Sequence, residues 1–308
     1  MCTQRDAGRG EPEVPNRKTS LLDLGKVREA VRDKAIGLVD HVISRYHKEQ
    51  SEHIARLEQQ VSELREELRD SVRAELREEI VRQGERALDR VVEFEIRSRR
   101  DIVYAADQEA ALQSAHFIQE HMPTKTSYGH PHQTLEHGLS LAATGGMALE
   151  FGVFTGTTLK IIATERGGEG VYGFDSFEGL PTDWRSGFPA GHFTVDGLPD
   201  VPGAELIVGW FDDTLPGFLE EHPGPVDFLH VDGDLYSSAK TVLDLVGPRL
   251  HAGSVIVFDE FFNFPNWQEH EYKAWMEYVE RTGVQFTYEG YTWSNEQVIV
   301  KIHDPGKA

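Results

Sequence analysis

Apolar positions in the first third of the chain follow a helical period. From Ile54 the stripe runs Ile54, Leu57, Val61, Leu64, Leu68, in alternating steps of three and four that match the a/d seam of a coiled coil. Leu68, Val72, Leu76 and Ile80 then recur every four residues, so the seam drifts around the helix and strict heptad geometry is lost. No proline interrupts residues 22–121, and charged side chains of both signs flank the stripe. So narrow a stripe suits a partner helix better than a broad core. It predicts a helical coiled-coil region over 21–121 that makes the protein a homo-oligomer, a dimer or higher. The alternative is a helix folded back on its own domain. Residues 1–20 are polar and rich in Gly and Pro, and are expected to be a disordered tail.

Beyond residue 122 the period changes. Short apolar runs at 147–153, 171–174, 206–208, 226–231 and 254–258 read as strands, and helical stretches follow most of them, at 157–166, 215–222, 237–250 and 270–281. Two further strands, 284–288 and 297–302, have no helix between them and read as a hairpin. This alternation predicts an α/β fold, a doubly wound and mostly parallel seven-stranded sheet of the Rossmann-like kind, over a domain at 122–308. Aromatic usage agrees with that boundary: all five Trp lie at or beyond Trp184, and only Phe94 and Phe117 of the sixteen Phe precede Met122.

Charge narrows the partners. The formal net charge of the 308 residues is −21, and residues 125–308 hold 10 Lys/Arg against 27 Asp/Glu. A surface that acidic repels phosphate backbones and anionic lipid, so nucleic acid and membrane are not expected as partners. The single Cys2 excludes a disulfide framework and a Cys-based zinc site. With no apolar leader among the first twenty residues and no run of about 20 apolar residues, the expected location is cytoplasmic.

In open α/β sheets ligands sit at the carboxyl ends of the strands. After the first strand comes Glu150-Phe-Gly-Val-Phe-Thr-Gly156, whose glycines allow a tight turn and a close ligand. Asp175 ends the second strand, where an acid can accept hydrogen bonds from ribose hydroxyls. Acids at both places, with no Lys in the turn, argue against a triphosphate and for an uncharged or cationic nucleoside.

The segments LEFGVFTG (149–156), GFDSFEGLP (173–181), GWFDDTLP (209–216), HVDGDLY (230–236) and VFDE (257–260) resemble the class I S-adenosylmethionine-dependent methyltransferases, and more narrowly the macrocin O-methyltransferase group that modifies sugar hydroxyls of natural products. The resemblance covers about residues 130–303 and does not extend to the N-terminal helix. It implies that Glu150, Gly152, Val153 and Gly156 surround the methionine part of S-adenosylmethionine. Asp175 would hold the ribose with Ser176 and Phe177 beside it, and Trp210 and Phe211 would flank the adenine. A sulfonium cation also suits a pocket of carboxylates and ring faces.

Asp232 ends the fourth strand, and Asp259 and Glu260 end the fifth. On neighbouring strands ~4.8 Å apart, such carboxylates can share a hard cation. The resemblance implies Mg2+ held by Asp232, Asp259 and Glu260, although Glu260 stands where the family has a shorter Asp or Asn. Asp234 is a competing ligand or a turn-former. The expected reaction is O-methylation of a small hydroxylated acceptor, with Asp232 as ligand, base or both. One alternative is a metal-independent methyltransferase with His130, His132 or His137 as base. Another is a non-catalytic nucleoside-binding interaction protein. His230, inside an apolar strand, reads as structural. The aromatic stretch Phe261 to Trp267 reads equally as a substrate wall or as packing.

Overall fold

The computed structural model describes residues 21–307, so the tail expected at 1–20 lies outside the described residues. The chain divides into two compact units at Val92/Glu93. The helix α1 (Leu21–Arg100), 80 residues with no proline or capping break in its interior, fills the described part of the first unit, and its last residues, 93–100, belong to the second. Its apolar stripe is exposed along its whole length, including Ile54, Leu57, Val61, Leu64 and Leu68.

The first whole helix of the second unit is α2 (Ile102–His121). Asp101 caps this helix, its side chain accepting the backbone N–H groups of Val103 and Tyr104. The sequence pattern placed α2 with the N-terminal extension, but Ala110, Ser114 and Phe117 are buried, and the Phe117 ring meets Phe261, Trp267, Tyr272 and Tyr288. The boundary expected at 121/122 therefore shifts back to Glu93. The charged residues of α2 hide its apolar face, because only one side of the helix is covered.

The sheet has eight strands, not seven, in the order β1-β7-β8-β6-β5-β2-β3-β4. The central strands are β2 (Met147–Phe151), β5 (Val226–Val231) and β6 (Leu250–Phe258), flanked by β3 (Val171–Asp175) and β4 (Glu205–Val208). On the other side β7 (Gln285–Thr292) and β8 (Val298–Asp304) form the expected hairpin, with β8 antiparallel to both its neighbours. The unforeseen strand is β1 (Thr126–Tyr128), paired in parallel with β7. Three residues with no apolar run carry no strand signal of their own, and only the neighbouring edge makes them one.

Helices cover both faces. Helices α3 (Pro131–Leu141) and α4 (Thr157–Glu165) pack with Leu135, Leu159 and Ile162 against one face. On the other, α5 (Phe211–Glu221), α6 (Tyr236–Val246) and α7 (Glu271–Thr282) join α2 around Phe174, Phe258 and Trp275. Strand order reverses between β2 and β5, so the crevice of this sheet opens above their carboxyl ends. No described helix is long and apolar enough to cross a membrane.

Candidate active site

Backbone pairing sets the site. Beyond the registered pair Val231↔Phe258 the ladder runs one residue further: Asp232 N–H donates to Phe151 O (2.8 Å) and Asp259 N–H to Val231 O (2.9 Å). This places the carboxylates of Asp232 and Asp259 side by side at adjacent tips. Gly152 makes the close approach possible, since with φ of 98° a Cβ there would sit 1.7 Å from Asp232 O.

Asp175 organises the facing turn. Its Oδ2 accepts the N–H groups of Val153 and Phe154, each at 2.8 Å, and its Oδ1 accepts that of Phe177 at 2.7 Å. A carboxylate has about four lone-pair sites, so it keeps capacity for a ligand hydroxyl. Phe154, Phe177 and Asp234 all take positive φ (48°, 59° and 60°), a concentration of unfavourable backbone at the rim.

A cavity of about 580 Å³ lies above these tips. Of the residues expected to bind the donor, Gly152, Asp175, Ser176, Trp210 and Phe211 line it, and so do all three expected cation ligands, Asp232, Asp259 and Glu260. Glu150, Val153, Gly156 and Phe177 do not. Glu150 is fully buried on β2, where its Oε1 lies 2.9 Å from His230 Nδ1. Gly156 caps α4 in the left-handed conformation beneath Val201 and Pro199. Val153 and Phe177 point into the core. These four shape the floor from behind. Burial drives the Glu150 carboxyl up, opposed by the His230 contact.

The cavity's acids are poorly compensated. Burial and then the Asp259 charge push Asp232 well above the usual carboxylate range. Burial pushes Asp234 up to about 7, opposed by Arg185 and reinforced by Asp259. Glu260 is raised by burial and by Asp232. Asp259 behaves otherwise: burial disfavours its charge, but His230, Gln297 and Glu260 outweigh that and hold it below its ordinary value. His230 Nε2 lies 3.4 Å from Asp259 Oδ1, so the imidazole bridges a floor carboxylate on β2 to a rim carboxylate beyond β6.

These residues fit a hard cation. His230, Asp232 and Asp259 can present ligand atoms all within 4.8 Å of one another, and Asp232, Asp234 and Glu260 form a second such set. Glu260 Oε2 is buried with no hydrogen-bond partner, an orphaned acceptor of the kind a cation satisfies. Behind it Glu271, fully buried at the start of α7, accepts the Glu260 N–H at 2.9 Å.

Of the two readings open for the stretch Phe261 to Trp267, the structure supports packing. Phe261, Phe262, Phe264 and Trp267 are almost wholly buried and serve as core. The cavity is walled instead by Phe154 and by Trp184, Phe188 and Phe193 from the long β3–β4 connection. Arg185 from the same connection stacks 4.0 Å over the Trp184 ring and 4.6 Å over Phe264, and its Nη1 lies 2.9 Å from Glu296 Oε1. The only sequence signal for this wall was aromatic residues recurring in a Gly- and Pro-rich loop, with no motif. The histidines considered as bases lie elsewhere. His130 caps α3, His132 rests against it and His137 packs on Tyr128, and no described histidine lines the cavity.

Residues 149–261 match the family model described as a methyltransferase domain. A 56-residue segment is 40% identical to the 8-demethyl-8-(2,3-dimethoxy-alpha-L-rhamnosyl)-tetracenomycin-C 4'-O-methyltransferase of Streptomyces olivaceus, covering 18% of this chain and 20% of that one. The match thus spans about a fifth of the length of this curated relative. Among solved structures, the calicheamicin methyltransferase CalS11 aligns at 24% identity with a TM-score of 0.43, over 55% of this chain and 76% of that one. The O-methyltransferase NovP aligns at 19% identity with a TM-score of 0.42, over 56% and 79%. Residues 149–261, the stretch that carries β2 through β6 and the clustered aspartates, are thus similar to the methyltransferase-domain family, in keeping with the resemblance of their motifs to the class I S-adenosylmethionine-dependent methyltransferases.

Proposed function

We propose that this protein transfers the methyl group of S-adenosylmethionine to a hydroxyl of a small molecule, such as a sugar of a natural product, with a divalent cation, Mg2+, bound at the acidic rim. The observation that carries this reading is the juxtaposition, in one cavity, of an aromatic and acidic donor side (Asp175, Trp210, Phe211) with a cluster of carboxylates at the tips of β5 and β6, of which Asp232 and Glu260 are poorly compensated. The first favours a sulfonium nucleoside, through ring faces and fixed negative charge. The second favours a cation.

Asp232, which belongs to both ligand sets, would hold the cation, with Asp259 or Glu260 as its partner from the neighbouring strand tip. A bound Mg2+ would lower the pKa of an acceptor hydroxyl and orient its oxygen. In the transfer, the acceptor oxygen forms a bond to the methyl carbon as the carbon–sulfur bond breaks, and the hydroxyl proton leaves to a base. Asp234 lines the cavity beside Asp232, and burial pushes its carboxyl up to about 7, so it is the carboxylate suited to take that proton. Trp184, Phe188 and Phe193 exclude water from the opposite side and offer a flat apolar surface to the acceptor.

The test is incubation of the full chain with S-adenosylmethionine, Mg2+ and a panel of glycosides and phenols, read by mass spectrometry. A product heavier by one CH2, formed with Mg2+ and lost with EDTA, is expected. Undiminished turnover in EDTA removes the cation from this reading, and failure to retain labelled donor in equilibrium dialysis removes the reading altogether.

A further inference from the structure

We propose that the α1 face from Ile54 to Leu68 is the interface of a parallel, in-register, two-stranded coiled coil between two copies of this chain. Nothing within the described chain covers this face. Ile54, Leu57 and Val61 are 53%, 46% and 45% exposed, and Leu64 and Leu68 are 63% and 66% exposed. Between them lies a shallow groove lined by Ile54, Leu57, Glu58, Val61, Ser62 and Arg65.

The order of side chains selects the occupant. With Ile54 at position a, the core positions read Ile54, Leu57, Val61, Leu64, Leu68, so the first two heptads carry β-branched residues at a and leucine at d. That alternation favours two parallel strands, because each layer then meets its own equivalent with the packing direction its branching prefers. A second copy supplies this partner with no further requirement, as a two-fold interface is self-complementary. The flanking positions agree. In parallel register His53 faces Glu58 of the second copy and Gln60 faces Arg65 of the second copy, and neither contact sets like charges together.

The same geometry limits the interface. At 100° per residue, each step of four turns the stripe roughly 40° further around the helix, so Ile80 lies roughly 120° from the line of Leu68. A straight pair of helices that meets at Leu57 and Leu64 has therefore parted from the stripe by Ile80. The interface ends near Val72.

The experiment is multi-angle light scattering on the full chain and on two variants. The wild type is expected at twice its 34.7 kDa mass. The double substitution Leu57→Glu with Leu64→Glu is expected to halve the mass, whereas Ile80→Glu leaves it unchanged. All three positions are exposed on α1, so these changes leave the sheet unit folded, and retention of S-adenosylmethionine by each variant checks this. In a Cys2→Ser background, Leu57→Cys and Leu64→Cys should each form a disulfide-linked dimer on mild oxidation, which only parallel, in-register chains allow at both positions. A monomeric, trimeric or tetrameric wild type overturns the proposal. So does a dimer that survives the double substitution or dissociates with Ile80→Glu, or cross-linking at fewer than both positions.

Discussion

An aspartate stands near each end of strand β5, Asp227 and Asp232, and the two are treated in opposite ways. Asp227, the second residue of β5, accepts the Gly146 N–H at 2.5 Å, His251 Nε2 at 2.8 Å and Arg166 Nη2 at 3.2 Å. Burial alone would raise its pKa, but these partners hold it below its ordinary value. Asp232, one residue past the other end, has acidic neighbours instead, and burial with the Asp259 charge takes it the other way. A buried charge that the protein satisfies by itself contributes to the fold. One that it leaves unsatisfied lowers stability and keeps a place for something the chain does not supply.

Exchanging each aspartate for its neutral amide breaks the comparison most directly. Asp232→Asn is expected to lower methyl transfer by ~100-fold or more, while raising the unfolding free energy from urea titration at pH 8 by an amount on the order of 1 kcal/mol, since one repelling charge is gone. Asp227→Asn should do the reverse, costing about 3–5 kcal/mol of stability because the buried Arg166 loses its partner, with turnover per folded molecule unchanged. If both variants lose stability equally, the distinction between the two ends is wrong.

Cation binding sharpens the same contrast. Mg2+ at a hundredfold excess over its dissociation constant should stabilise the wild type by about 2.7 kcal/mol in calorimetry, and Asp232→Asn should abolish that shift. His230→Asn, which removes the bridge between Glu150 and Asp259, is expected to weaken Mn2+ affinity by ~10–100-fold in paramagnetic titrations.

Acid separates the ends by sign. The pKa of Asp227 is depressed in the folded state, so its contribution is fully present above the unfolded value of about 3.9 and is lost as pH falls through the folded one. The pKa of Asp232 is raised, so stability falls as pH climbs from about 3.9 through its folded value. Urea midpoints measured against pH should therefore lose part of their acid limb in Asp227→Asn and part of their decline towards neutrality in Asp232→Asn.

The smallest effect belongs to the aromatic wall. Trp184→Ala should raise the acceptor KM by roughly 2–10-fold, an aromatic contact of about 0.5–1.5 kcal/mol, while donor affinity barely changes. An equal loss in donor affinity would place Trp184 on the wrong side of the cavity.

Strands β2 to β6 were legible because apolar runs bounded by glycine and acids have few other uses, and the acids at their ends followed from the rule for open sheets. The four donor-side residues that turned out to lie behind the cavity show the limit of this reading. Spacing told that Glu150 and Val153 flank the Gly152 turn, but not which side of the sheet each side chain takes. The docking of helix α2 and the wall of Trp184 and Phe188 were invisible for a related reason. Their partners, Tyr272, Tyr288 and Phe264, lie far along the chain, and no local pattern registers contacts of that range.

The sequence by itself determined the alternation of strands and helices, the apolar stripe of α1 and the identity of the acids at the strand tips, all of which rest on periodicity and on residues close in the chain. Tertiary structure alone decided that Asp227 is compensated and Asp232 is not, that His230 joins Glu150 to Asp259, and that Phe261 is core while Phe188 faces the cavity. The field at a carboxylate is the sum over every group within a few ångströms, and only the packed chain brings those groups together.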